Sequence, residues 1–205
     1  MARPVAWLEP GVIAGALVPL AAIALRAGLN KLGADPIAKV ENELGLTALI
    51  LLVTSLACTP ASRLLGWTWA IRIRRTLGLL AFMYASLHFL TYLFLDQGVD
   101  LGAIAADIVK RPFITAGFSA LLLLTPLAFT STKASIRRLG FRRWQRVHQL
   151  TYVAGILAIV HFIWRVKLDI TQPAVYGWIL GALLLIRIAI WLRQNRTANK
   201  SSPAR

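Results

Sequence analysis

The chain has 205 residues, of which 58% are hydrophobic and only 15% are charged, and its formal net charge at pH 7 is +15. A soluble domain usually has about 25% charged residues, so the composition excludes an ordinary soluble globular protein. In a soluble protein so positive a charge would indicate nucleic-acid binding, but beside apolar segments lysine and arginine determine membrane topology instead. We therefore expect one integral membrane domain over residues 1–205, surrounded by membrane lipid and without a nucleic-acid partner.

Six apolar segments are long enough to cross a membrane, for which a helix needs about 20 residues. In chain order they cover residues 8–28, 44–62, 76–95, 112–130, 147–166 and 173–192. They predict an all-α integral membrane protein, built as a bundle of six transmembrane helices. The transmembrane core is expected at about 8–192, followed by a polar tail at 193–205.

Lysine and arginine are distributed unevenly between the connections. The 63–75 connection has four of them, the 131–146 connection has six, and the tail has four. The alternate connections have fewer basic residues and hold seven of the eight acidic residues. The positive-inside rule therefore predicts that both termini and the two arginine-rich connections lie in the cytoplasm.

The connection between the third and fourth spans contains the segment LGAIAADIVK at 101–110. Leu101, Ile104, Ala105 and Ile108 would lie on one face of a helix over this segment. We expect that helix to lie along the membrane interface, on the side opposite the cytoplasm.

The chain has three histidines, and all of them lie in or at the ends of apolar segments. Ionisable groups at membrane depth are costly and mark functional sites, and imidazole is a common ligand of iron. The third and fifth spans run in the same direction, so His88 and His161 are expected at similar depth toward the outer face. There they could bind one haem iron from two sides. His148 begins the fifth span near the cytoplasmic face, at the depth of Arg74.

The thirteen residues from His148 to His161 correspond to about 20 Å of helix, which excludes a shared metal ion but allows two stacked cofactors. On an ideal helix the two side chains would point in different directions, so we expect a bend or π-bulge near Gly155. Histidines that only form hydrogen bonds between helices are an alternative. A zinc site is less favoured, because at most two histidines share one depth and no thiolate or carboxylate is expected near them.

Cys58 is the only cysteine, so the chain has no disulfide and no CxxCH motif for covalent haem attachment. Any haem must then be held non-covalently, as haem b. The sequence also contains neither GxGxxG nor GxxxxGK[ST], so a nucleotide-binding domain is not predicted.

Six longer motifs, in this order and spacing, resemble those of a known family. They are LGADP (32–36), RRTLGLLAFMYASLHFLTY (74–92), KRPFITAG (110–117), LAFTSTKA (127–134), RRWQRVHQLTY (142–152) and HFIWRVK (161–167). Through them the chain resembles the MsrQ (YedZ) family, the haem-binding membrane subunits of bacterial periplasmic methionine sulfoxide reductase systems. That family belongs to the ferric-reductase-like transmembrane domain superfamily.

The resemblance implies a six-helix bundle with one or two haem b groups. The superfamily places two histidines on each of two helices, fourteen residues apart on the third and thirteen apart on the fifth. This chain keeps His88, His148 and His161, but Arg74 stands where the fourth histidine would be. The implied ligands are His88 and His161 for the iron of an outer haem and His148 for that of an inner haem. Arg74 is interpreted as a topology determinant, a partner of the haem propionates, or a direct or water-mediated ligand.

The resemblance also implies the activity. The family passes electrons from the quinone pool to a periplasmic molybdenum-containing methionine sulfoxide reductase, which repairs oxidised proteins, and it is located in the bacterial inner membrane. FMN is implied as a further cofactor by the resemblance alone. The chain is not expected to reduce methionine sulfoxide itself, because it has no thiol pair and no molybdenum ligand set, and no catalytic residue is predicted. The alternative is a small transporter or a membrane anchor with structural histidines.

Overall fold

The computed structural model describes the backbone of residues 6–166 and 168–200, and the side chains within these ranges up to residue 194. The helices are α1 (Leu8–Gly28), α2 (Pro36–Leu64), α3 (Thr68–Thr91), α4 (Leu101–Lys110), α5 (Pro112–Phe129), α6 (Lys133–Leu139), α7 (Phe141–His148), α8 (Leu150–Arg165) and α9 (Thr171–Lys200). Helix α3 continues into a short π-helical segment, Tyr92–Asp96. The described residues form no strand.

Six helical stretches are long and apolar enough to cross a membrane. They are Leu8–Gly28, Pro36–Leu64, Thr68–Asp96, Pro112–Phe129, Phe141–Arg165 and Thr171–Gln194. They confirm the prediction of an all-α bundle with six spans. Of the predicted tail, residues 193–200 continue helix α9, and residues 201–205 lie outside the described residues.

The second, third and fifth spans begin six to eight residues earlier than predicted. A helix can extend beyond its apolar stretch, because its start is set by the residue that accepts hydrogen bonds from its first backbone N–H groups. The length of the apolar stretch therefore does not locate the start of the helix. At the second span, the side chain of Asp35 accepts a hydrogen bond from the N–H of Ala38, and Pro36 occupies the first helical position. Such a cap followed by proline is a strong start signal, and it places residues 36–43 in the helix.

Helices α2 and α3 form one closely packed pair, and α5 and α8 form another. Helix α1 packs on α3, and α9 packs on α8 and α2. Small buried residues allow this close approach: Ala81 and Ala154 are almost fully buried, and a side chain at Gly155 would contact Leu180 and Leu56. Helix interfaces in membranes depend on such small residues, because lipid provides no hydrophobic force between helices.

Tyr84 ties α1 to α3 through its hydroxyl group. The side chain is fully buried. Its hydroxyl donates to the carbonyl of Ala16 at 2.5 Å and accepts from the N–H of Leu20 at 3.2 Å. These two backbone groups are four residues apart, so they would pair with each other in a regular helix. The tyrosine therefore bonds to one donor and one acceptor on the same turn of α1.

The fifth span is interrupted at Gln149, between α7 and α8. The N–H of Gln149 donates to the carbonyls of both Gln145 and Arg146 at 3.1 Å, which tightens the turn. Helix α8 is an uninterrupted α-helix through Gly155, so the prediction of a bulge there was wrong. The irregular turn lies next to His148 instead, and Gly155 serves close helix packing.

Candidate functional site

His88 on α3 and His161 on α8 face each other across one cavity. Their ring centroids are 6.1 Å apart, and the ring planes are inclined by 76°. Both side chains line a cavity of about 280 Å³, which we name the paired-histidine cavity. Its wall consists mainly of small and apolar residues from α2, α3, α5 and α8. The predicted approach of these two histidines is thus present in the fold.

Each of these histidines is oriented by a backbone carbonyl of a neighbouring helix. Nδ1 of His88 lies 2.9 Å from the carbonyl oxygen of Glu41, and Nδ1 of His161 lies 2.7 Å from that of Phe113. A carbonyl can only accept, so Nδ1 must be the protonated nitrogen in both rings. Nε2 then keeps its lone pair and is the nitrogen available to a metal. Ligand histidines in metalloproteins are commonly oriented in this way.

The rim of the paired-histidine cavity is polar. The guanidinium of Arg165 donates a hydrogen bond to the side chain of Asn42, and Arg111 forms an ion pair with Asp107 at 3.2 Å. Arg165, Asn42 and Arg111 line the cavity together with the histidines. The site therefore has an apolar interior and a charged edge, which suits a large apolar ring system with ionic substituents.

The separation of the two imidazoles is close to that of two ligands on opposite sides of one iron. Two metal–nitrogen bonds of about 2 Å each, together with the two ring radii, place the centroids of opposed imidazoles roughly 6 Å apart. The observed separation is 6.1 Å. Among the described residues no three histidine, cysteine, aspartate or glutamate side chains are grouped closely enough to hold a metal ion alone. The two imidazoles are thus the donors that this cavity offers to a metal among the described residues.

His148 lies in a different cavity, of about 400 Å³, which we name the His148 cavity. Its ring stacks on Trp144, with centroids 4.1 Å apart and planes inclined by 30°. Nε2 of His148 lies 3.1 Å from the hydroxyl of Thr130, and the indole N–H of Trp144 donates to the carbonyl of Thr130 at 2.9 Å. Unlike the other two histidines, His148 uses Nε2 within the protein.

The His148 cavity is strongly cationic. Arg74, Arg75 and Lys133 line it together with His148. Arg74 also donates to the hydroxyl of Thr59 at 3.2 Å. The structure thus brings Arg74 and His148 into one cavity and places His88 and His161 in the other, which is the predicted grouping. The second cavity contains one imidazole, with guanidinium and ammonium groups suited to carboxylates.

Arg187 is a charged residue of the sixth span that the sequence reasoning did not single out. Its guanidinium donates to the hydroxyl of Tyr152 at 2.8 Å and to the carbonyl of Leu56 at 2.6 Å. The carbonyl of Leu56 lacks a helical donor, because Pro60 has no N–H. A single arginine in the apolar run LLLIRIAIWL at 183–192 was the available signal.

Glu41 is the second polar residue that was not singled out. It was expected in an outer connection, but it lies in the second turn of α2 and lines the paired-histidine cavity. Its carboxyl oxygen Oε1 is buried and has no hydrogen-bond partner among the described residues. The start of α2 at Pro36 explains the difference, since it moves Glu41 from a loop into the wall of the cavity.

Known proteins resemble this chain over nearly its whole length. Residues 44–159 match the family described as Ferric reductase like transmembrane component. A relative from Deinococcus radiodurans, named Protein-methionine-sulfoxide reductase heme-binding subunit MsrQ, is 50% identical over 197 residues, which cover 96% of this chain and 97% of the relative. The proteins of the same name from Rhodospirillum rubrum and Herminiimonas arsenicoxydans are 47% and 46% identical over 93% and 91% of this chain, and over 92% and 86% of their own.

Proposed function

The chain belongs to the MsrQ heme-binding subunits within the ferric reductase like transmembrane family, and we propose that it is the electron-transfer subunit of a periplasmic methionine sulfoxide reductase system. It is a multi-pass membrane protein with six apolar spans. In this proposal it does not reduce methionine sulfoxide, and the catalytic partner is a molybdenum-containing reductase in the periplasm.

The observation that supports this proposal most strongly is the geometry of His88 and His161. Their ring separation of 6.1 Å suits two axial ligands of one iron, and both rings have Nδ1 engaged by a backbone carbonyl. A haem b bound there would supply a one-electron carrier within the membrane. The two carbonyls would hold the rings in place, and the mainly apolar wall of the cavity would surround the bound group.

His148 is proposed as the single histidine ligand of a second, inner haem. In the structure, Nε2 of His148 lies 3.1 Å from the hydroxyl of Thr130. To bind an iron, Nε2 would have to give up this hydrogen bond. Arg74, Arg75 and Lys133 line the same cavity and would pair with propionates. A guanidinium stays protonated and is a poor iron ligand, which favours carboxylate pairing over ligation for Arg74.

The proposed direction of electron flow follows from the charge distribution. By the positive-inside rule, the arginine-rich connections support a cytoplasmic location of both termini in a bacterial inner membrane, and the paired-histidine cavity would then lie toward the periplasm. The quinone pool is the proposed electron donor. FMN is proposed from the resemblance alone, and the arginines of the cytoplasmic connections suit its phosphate because a guanidinium pairs with phosphate in two places.

The rival function is a transporter or membrane anchor in which the histidines only join helices. Visible absorption of the purified full-length chain in detergent separates the two. We expect a sharp Soret band in the oxidised protein and α and β bands after reduction with dithionite. The reduced chain should be reoxidised by methionine sulfoxide only when the periplasmic reductase of the same organism is added. A featureless spectrum would refute the proposal.

A further inference from the structure

The same local arrangement surrounds both histidines of the paired-histidine cavity. His88 on α3 approaches the carbonyl of Glu41 on α2, and Gly45 follows Glu41 by four residues. His161 on α8 approaches the carbonyl of Phe113 on α5, and Gly117 follows Phe113 by four residues. Each closely packed helix pair thus contributes one histidine, one carbonyl and one glycine.

The spacing of four residues has a direct physical consequence. In an α-helix the carbonyl of one residue lies against the N–H of the residue four positions later, and the side chains of the two residues lie on the same face. An imidazole that bonds to the carbonyl of Glu41 or Phe113 therefore lies over the glycine that follows. A side chain at that glycine would occupy the space of the ring.

The available space differs at the two positions. A Cβ atom added at Gly117 would lie 2.6 Å from Nδ1 and 2.9 Å from Cε1 of His161. A Cβ atom added at Gly45 would lie 3.3 Å from Cε1 and Nδ1 of His88. The first contact is shorter than real Cβ atoms make, so the ring would have to move. The second would require a shift of only a few tenths of an ångström.

Among the glycines of this chain, Gly117 would give the shortest contact, at 2.6 Å, and the next shortest are 3.3 Å at Gly45 and at Gly102. A Cβ atom at Gly15 in α1 or at Gly181 in α9 would meet nothing within 4 Å. Glycine is unfavourable inside a helix relative to alanine, but at residue 117 a Cβ atom would collide with the imidazole above it. At residue 45 an imidazole also lies above the glycine, and a Cβ atom would press on it less closely.

We propose that Gly45 and Gly117 are positioning residues, which set the distance and the rotation of the His88 and His161 rings toward a shared iron. The inference rests on the proposed function, since it takes the two histidines as haem ligands. An alanine at residue 117 would push the ring of His161 away from the carbonyl of Phe113 and weaken the bond at Nδ1. An alanine at residue 45 would rotate the ring of His88 slightly and leave it in place.

The test compares full-length Gly117→Ala, Gly45→Ala and the matched control Gly181→Ala with the wild-type protein, all purified with haem. Electron paramagnetic resonance of the oxidised protein reports the relative orientation of the two rings, and a redox titration followed by absorbance gives the midpoint potential. We expect Gly181→Ala to match the wild type. Gly45→Ala should keep its haem but show shifted g values, and Gly117→Ala should lose the low-spin signal of this haem several-fold.

Wild-type g values and midpoint potential in Gly117→Ala would overturn the inference. If Gly117→Ala does not insert into the membrane, Gly45→Ala decides alone, and unchanged g values and potential there would overturn it. A failure of the proposed function would give a different result from a failure of this inference. In that case the wild-type protein would bind no haem, or His161→Ala would retain all of its haem.

Discussion

Arg187 donates a hydrogen bond to the carbonyl of Leu56, the group that Pro60 leaves without a helical donor. The same guanidinium bonds to the hydroxyl of Tyr152 and lies 5.1 Å from the centre of its ring. One side chain thus joins α9 to α2 and to α8, which contains His161. These partners satisfy part of the hydrogen-bonding capacity of Arg187, whose Nε is buried without a partner among the described residues.

Arg187→Met should therefore destabilise the bundle. The carbonyl of Leu56 and the hydroxyl of Tyr152 would lose a donor in a place without water, and polar contacts between membrane helices contribute about 1–2 kcal/mol. Unfolding in mixed detergent with increasing dodecyl sulfate measures the change. Leu185→Met, at a residue of the same helix that is 68% exposed, is the control. Equal stability of the two variants would contradict the structural role of Arg187.

Tyr84→Phe should also reduce stability, by about 1 kcal/mol, because it removes the two hydrogen bonds that join α3 to the backbone of α1. The change removes only the hydroxyl that bonds to Ala16 and Leu20. Tyr176→Phe is the matched control, since no hydrogen bond of its hydroxyl is present among the described residues. The same unfolding measurement applies, and a loss in Tyr84→Phe no larger than in the control would refute the bridging role.

His148→Ala should remove one spectral component and spare the low-spin signal of the haem between His88 and His161. Thr130→Val removes the hydroxyl that lies 3.1 Å from Nε2 of His148, so it should leave haem binding at His148 equal or stronger. Low-temperature absorption spectra of the reduced variants measure both effects. Loss of both haems in a correctly inserted His148→Ala protein would show that the two-level assignment is wrong.

The topology prediction can be tested by cysteine labelling after replacement of the buried Cys58. Gln97 lies between the π-helical segment and α4, and Ser135 lies in α6. By the positive-inside rule, an impermeant thiol reagent on intact cells should label Gln97→Cys and miss Ser135→Cys. The reverse result would place the paired-histidine cavity toward the cytoplasm and remove the case for a periplasmic partner.

The sequence was sufficient to predict the six spans and the approach of His88 to His161. The length of an apolar segment predicts a membrane span. Successive spans run in opposite directions, so the third and fifth spans run in the same direction, and residues equally far from their starts lie at the same depth. The predicted helix at 101–110 is present as α4, and Ile104 on its apolar face is buried. These features depend on local composition and on the number of residues between positions of a helix. Both quantities can be obtained from a single sequence.

Features that depend on contacts between distant helices were not predictable in this way. Arg187 reaches Leu56 only because α9 packs beside α2, and no local pattern connects them. Regular α-helical bonding in the fifth span is interrupted at Gln149 rather than at Gly155. The N–H of Gln149 bonds to the carbonyls of both Gln145 and Arg146. The close approach of His161 to Gly117 likewise requires the packed pair of α5 and α8.

Haem content per chain in His88→Ala, His161→Ala and the double variant tests the central claim most directly. A pyridine haemochrome assay against protein mass gives the content, and gel filtration verifies that each variant is folded. If both histidines bind one iron, each single variant loses the same haem, and the double variant loses no more than either. Additive losses, or wild-type haem content in either single variant, would contradict the assignment of these two residues to a shared iron.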